Sequence, residues 1–248
     1  MTDDNPRVVL IAAPPSMGKT HSLYKMADDS GVAYLNTDLK DLPFRVPKNG
    51  GMKVLKIDDA MIAPDAIQDL EENYPEVHTV ILDTVTFLMN QYENQYVLNA
   101  ADTRKAWQSY GQFYGSLMHN IKCSTKNFIV LAHTFTEYNE SEMANETRVP
   151  IKGAVGKVGA EADYNIVLSA RKVTVKQLEP YLENNKLLTL SPKEERIGVK
   201  YVFQTDLTKE TLSEKIRSPM GLWTDDELYI NNDISLITQR LSEYYSEF

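Results

Sequence analysis

One cysteine, Cys123, occurs in 248 residues. The chain therefore cannot close a disulfide within itself or build a cysteine-only zinc site, and it suits a reducing compartment. Its histidines, His21, His78, His119 and His133, fall at no metal-ligand spacing. No apolar run approaches the ~20 residues that span a bilayer. The acidic, polar opening is unlike a secretory leader. Positive charge is also scarce: 26 Lys and Arg against 35 Asp and Glu give a net charge of −9. A simple duplex-binding module carries a basic footprint. Contact with nucleic acid would have to come from local basic segments or from a groove made by assembly. These absences predict a cytoplasmic protein with no membrane contact.

Apolar residues make up 42% of the chain, enough for a full core. Apolar runs of strand length alternate with helical stretches. Residues 7–13 (RVVLIAA), 32–37, 52–57, 78–83 (HTVILD), 127–133 (NFIVLAH) and 164–170 (YNIVLSA) read as strands. Residues 19–29, 64–74 and 103–122 read as helices. The last of these repeats Trp107, Tyr110, Tyr114, Leu117 and Ile121 at helical spacing. Residues 40–51 are rich in proline, glycine and charge and read as a loop. Residues 135–160 are polar, with glycines at 153, 156 and 159, and are expected to form a mobile loop. Residues 199–205 and 211–217 are expected to be two arms of a hairpin, and 233–245 a closing amphipathic helix. Strands separated by helices predict an α/β fold with a mainly parallel, doubly wound sheet. The hairpin would add antiparallel strands at one edge. One domain over residues 1–248 is expected.

The chemistry begins at Ala13-Pro14-Pro15-Ser16-Met17-Gly18-Lys19-Thr20. A polyphosphate needs inward backbone N–H donors, a helix N-terminus and a cation. A strand, a turn and Gly18-Lys19-Thr20 opening a helix supply all three. Lys19 would reach the β- and γ-phosphates of ATP, and the Thr20 hydroxyl would ligate magnesium. Ala13 stands where such loops usually begin with glycine. The strand ending in Asp83 would put a second magnesium group at the carboxyl edge of the sheet, where open α/β folds bind ligands. Asp38, in Asn36-Thr37-Asp38, is a candidate to orient and deprotonate the attacking water. Asp58 and Asp59 are alternatives, as is a capping role.

Three further groups are weaker on residues alone. His133 ends its strand where it could hydrogen-bond the γ-phosphate, or serve only as a cap. Arg148, Lys152 and Lys157 lie in a glycine-bearing stretch with no acidic residue until Glu161. Phe135 and Tyr138 just upstream could stack on bases, or the whole stretch could be a solvated loop. Lys215 and Arg217 would point to one side of a strand. They could reach a neighbouring subunit's γ-phosphate, or be two solvated charges.

Together the 13–20 loop, Asn36-Thr37-Asp38, the VILDT at 80–84, the Trp107 helix with Tyr110-Gly111, the VLAH at 130–133 and the Lys215-x-Arg217 pair resemble the RecA-type recombinase and hexameric helicase superfamily. Within it they resemble its small phage-encoded branch, the single-strand annealing ATPases of the Sak-four group. The resemblance implies a RecA-like P-loop core. It makes Asp38 the catalytic carboxylate and His133 the γ-phosphate sensor. The segment after His133 becomes a DNA-binding loop, and Lys215 and Arg217 become fingers acting in trans. Its implied partners are single-stranded DNA, a single-strand DNA-binding protein to deliver it, and further copies in a ring or filament. Three departures stand out: Ala13 for glycine, Asp38 where recombinases of the RecA type use glutamate, and no separate DNA-binding domain at either end. The expectation is a DNA-dependent ATPase of annealing or recombination. A RecA-like motor or loader serving a replicative helicase is the alternative. A nucleotide kinase is disfavoured because no arginine cluster could form its lid.

Overall fold

The computed structural model describes residues 5–140 and 143–246. Strands β1 (Val8–Ala13), β2 (Val32–Asn36), β3 (Lys53–Lys56), β4 (Thr79–Asp83), β5 (Asn127–His133) and β8 (Ile166–Thr174) form the parallel part of an eight-stranded sheet. Strands β9 (Val199–Gln204) and β10 (Tyr229–Asn231) extend it antiparallel, in the order β10-β9-β8-β1-β5-β4-β2-β3. Strands β6 (Phe135–Asn139) and β7 (Ala144–Arg148) form a separate hairpin.

The central strands are apolar without alternation because both faces are covered. Successive residues point to opposite faces, and two cores result. Val8, Leu10, Leu35, Leu82 and Val130 pack against helices α1 (Ile62–Asn73), α2 (Val85–Tyr92) and α3 (Thr103–Cys123). Val9, Ile11, Tyr34, Ile81 and Ile129 pack against a 3-10 helix, Thr20–Met26, and against the closing helix Ile234–Ser246. Among the described residues no helix is long and apolar enough to cross a membrane.

The expected parallel sheet with an antiparallel edge is present, but three details differ. The helix after the phosphate loop is a 3-10 helix. Ser22 tightens it: its N–H donates to both Gly18 O and Lys19 O, and its hydroxyl donates again to Lys19 O. The antiparallel partners of β9 are β8 and β10, not residues 211–217. Thr211 folds back, its hydroxyl accepting from Gln204 and from the Thr208 N–H. The segment beyond it instead bridges β7 through Ser213 O and β8 through the Val167–Arg217 pair. Finally, the stretch expected to be a mobile loop contains the β6–β7 hairpin and a short helix, α4 (Gly153–Val158). Polar residues occupy both faces of that hairpin, so it lacks the half-buried alternation by which a strand is recognised.

Candidate functional site

The carboxyl ends of the strands bring the chemistry together. Ala13 is paired with His133, and Asn36 with Asp83. Ala13 is buried as the last residue of β1 and takes no left-handed conformation, so a glycine is not required there. The left-handed steps fall instead at Ser16 (φ 66°) and Gly18 (φ 85°). Such turns make anion-binding concavities. The N–H groups of Ser16, Met17 and Gly18 donate to no acceptor among the described residues. Pro14 and Pro15 are exposed, while Met17 packs on the second core.

Lys19 is buried inside this loop. Its ammonium donates to Ala13 O at 2.8 Å and Pro14 O at 3.0 Å, and lies 3.3 Å from His133 Nδ1. Burial pulls its pKa from 10.5 down to about 8, opposed by the charge of Asp83. Burial and the Lys19 charge likewise push His133 down to about 4. His133 is therefore neutral near pH 7 and can accept from Lys19. Its ring also meets Phe87 edge-on at 5.3 Å.

Thr20 Oγ1 donates to Asp83 Oδ2 at 2.7 Å. Tyr34, buried on β2, donates to the same oxygen at 2.9 Å. Burial raises the Asp83 pKa, against these two hydrogen bonds and the charge of Lys19. Burial, then the Asp83 charge, raises the Tyr34 pKa, which keeps its proton on the donating hydroxyl. A buried carboxylate that has only hydroxyl donors and one lysine nearby suits a divalent cation. Magnesium binds through one or two protein oxygens and keeps water and phosphate for the rest. Thr20 and Asp83 fit that pattern. Among the described residues no cluster of three or more His, Cys, Asp or Glu offers a fuller cage.

Asp38 emerges from a clamped turn. The Asn36 side chain donates to Lys40 O and accepts from the Leu39 N–H, both at 2.8 Å. The Asp38 carboxylate pairs with Lys40 at 2.9 Å, and its charge is felt at Tyr34, Asp83 and His133. Asp58 and Asp59 follow β3, the edge strand beside β2. The side chain of Gln95 donates to the Asp58 carbonyl, and the carboxylate of Asp59 accepts from the Tyr96 hydroxyl.

The remaining candidates are placed apart from this centre. Arg148 pairs with Glu137 and covers the Phe135 ring at 5.5 Å. Lys152 pairs with Glu93 at 2.7 Å. Lys157 is exposed on α4. Lys215 pairs with Glu146 of β7 at 3.0 Å. The Arg217 guanidinium donates to the chain's own carbonyls at Glu161 and Tyr164.

The sequence reading missed Tyr34, Gln91 and Asn232. Asn232 Nδ2 donates to Gly18 O at 3.0 Å. A cavity of about 420 Å³ opens beside that contact, bounded by His21, Tyr24, Tyr201 and Asn232. None of the three lies in a recognisable motif: the sheet order brings Tyr34 to the site, helix α2 brings Gln91, and the turn before the closing helix brings Asn232.

No curated protein matches the chain. A family model described as an AAA domain matches residues 5–198. That span holds the phosphate loop, Asp38, Asp83 and His133, and stops before β9, so Lys215, Arg217 and Asn232 lie beyond it. A match over most of the chain, on the strands that carry the phosphate site, decides the matter: the chain belongs to this AAA-domain family and is a P-loop ATPase.

Proposed function

We propose that the chain is a single-stranded-DNA-dependent ATPase of the RecA-like annealing or recombination type, working as a ring or filament on the strand. One observation carries this reading. His133 touches the phosphate-loop lysine, and two residues later the chain enters an exposed hairpin. That hairpin and the helix after it carry Phe135, Tyr138, Arg148, Lys152 and Lys157. Tyr138 is 59% exposed, which suits a base-stacking platform. A strand held there is one strand-end away from the γ-phosphate. The Sak-four resemblance points the same way.

In this reading ATP phosphates draw Lys19 away from its own carbonyls and take the free N–H groups of residues 16–18. Thr20 and Asp83 hold magnesium, which offsets charge on the phosphates. Asp38 orients the attacking water and takes its proton. A His133 ring N–H donates to the γ-phosphate and passes its position to the hairpin. Lys215 and Arg217 complete a neighbour's site. Turnover should rise when single-stranded DNA is added, and complementary strands should anneal faster in its presence. Lys19→Ala should abolish turnover. A wild-type rate indifferent to DNA would refute the reading.

A further inference from the structure

Helix α2 touches the strand ends that carry Asp83, Thr37 and His133. Its N-cap, Thr84, follows Asp83 through a cis peptide. The Thr86 hydroxyl accepts from the His133 N–H at 3.3 Å. One turn on, Gln91 Nε2 donates to Thr37 O at 2.8 Å and to Ile57 O at 2.9 Å. The helix then widens into a π turn, Glu93–Val97, whose first residue grips Lys152. Tyr92, between Gln91 and Glu93, stacks on Phe113 of α3 at 4.5 Å.

Thr37 is fixed on all sides. Its N–H donates to Asp83 O at 2.9 Å, and its hydroxyl both donates to Thr84 O and accepts from Thr84 N, each at 2.8 Å. Its carbonyl, the group nearest Asp38 in the chain, is held by Gln91. The other amide atom, Gln91 Oε1, is buried with no donor. A buried acceptor without a partner is unfavourable, and such breaches gather at functional sites.

We infer that Gln91 is a positioning residue for Asp38, and that the Glu93–Lys152 pair at the π turn couples strand binding to it. Glu93 is a buried carboxylate, its side chain 9% exposed. If Lys152 turns to a DNA phosphate, Glu93 must find another partner or move toward water. A π turn is a place where a helix can change register locally. That movement lies two residues from the amide that holds Thr37. The inference rests on the proposed function above.

The test is Gln91→Met, which keeps volume and removes both donors, with Gln91→Glu as a second variant. For each, kcat, the equilibrium affinity for ATP, the affinity for single-stranded DNA and thermal stability are measured. The expected result is kcat lowered about 10- to 100-fold, the scale for a misplaced catalytic group. ATP affinity should stay within about twofold of wild type on the same scale. DNA should still bind but no longer stimulate. Adding Lys152→Ala should then remove no further stimulation. Wild-type kcat and stimulation would overturn the inference, as would a loss of ATP affinity and stability in step with kcat. Asp38→Asn and wild-type stimulation are run alongside. If Asp38→Asn still turns over, or DNA never stimulates, the functional reading fails. If both controls behave and Gln91→Met matches wild type, only this inference fails.

Discussion

Tyr34→Phe isolates one hydrogen bond beside Asp83, the carboxylate proposed to hold magnesium. Tyr34 is 2% exposed, so no water replaces the hydroxyl once it is removed. Asp83 Oδ2 would keep only Thr20 as a donor. Once Thr20 turns to a metal, that oxygen would have none. A hydrogen bond to a charged acceptor contributes about 1.5–3 kcal/mol. At about 1.4 kcal/mol per tenfold, that is roughly 10- to 150-fold in an equilibrium. Loss of an outer-shell partner of a metal ligand is typically felt as about 10- to 100-fold in affinity, so the two routes agree. The prediction is that half-saturation by magnesium rises about 10- to 100-fold, while ATP affinity measured without metal is unchanged. Magnesium titrations of turnover and of a fluorescent nucleotide's binding would measure it, with manganese as a paramagnetic probe. Unchanged half-saturation would show that Asp83 is held without Tyr34. Weaker ATP binding without metal would show that the damage lies in the loop.

Gly18→Ala should destabilise the loop and weaken nucleotide binding, because φ is +85° and a Cβ would lie 2.4 Å from Asn232 Nδ2. Asn232→Gly should relieve the clash but not the backbone strain, so a nucleotide-binding assay should show partial recovery. Lys19 has a folded pKa of about 8, below its usual 10.5, so above pH 8 the free protein has lost that proton. ATP needs the ammonium and should draw the proton back. Calorimetry in two buffers should therefore show proton uptake above pH 8, with affinity falling as pH rises. Arg148→Gln with Lys157→Ala should flatten the salt dependence of single-strand binding by about 1.4 log units per log unit of salt, two contacts at ~0.7 each. An unchanged slope would mean that neither touches phosphate. A Lys215→Ala/Arg217→Ala variant should bind ATP but turn it over poorly, and mixing it with Asp38→Asn should restore part of the rate. No recovery would exclude action in trans.

The strands were legible because β1, β2, β4, β5 and β8 are buried on both faces and read as unbroken apolar runs. The phosphate loop was legible because its parts are contiguous in the chain, and Asp83 because it ends an apolar strand. What escaped depends on distant packing. Tyr34 reaches Asp83 because β2 lies beside β4, and no local pattern encodes that neighbour. Gln91 lies where α2 passes into a π turn over Glu93–Val97 that weakens a regular helical period. The hairpin from Phe135 has no dry face. No strand forms at 211–217: Gln204 and the Thr208 N–H donate to the Thr211 hydroxyl, and the segment meets β8 at the Val167–Arg217 bridge.

Under the proposed function the charge arrangement would let so acidic a chain serve a polyanion. Two of the three cations of the candidate strand path are paired within the chain: Arg148 with Glu137 and Lys152 with Glu93. These pairs are not equivalent. Arg148–Glu137 is partly exposed on both sides, and such pairs contribute little, so a phosphate could displace the carboxylate readily. Lys152–Glu93 joins an exposed lysine to a buried acid, and an acid left buried without its partner is strongly unfavourable. A strand would therefore take Arg148 easily and Lys152 only if the π turn yields. The pair that resists exchange is the one attached to α2, and through it to Thr37 and His133. The pair that exchanges easily lies on the hairpin and could take up a strand without disturbing the site. In the proposed reading binding and activation are thereby separable: the exposed pair would supply affinity, and the buried pair would carry the signal to the phosphates.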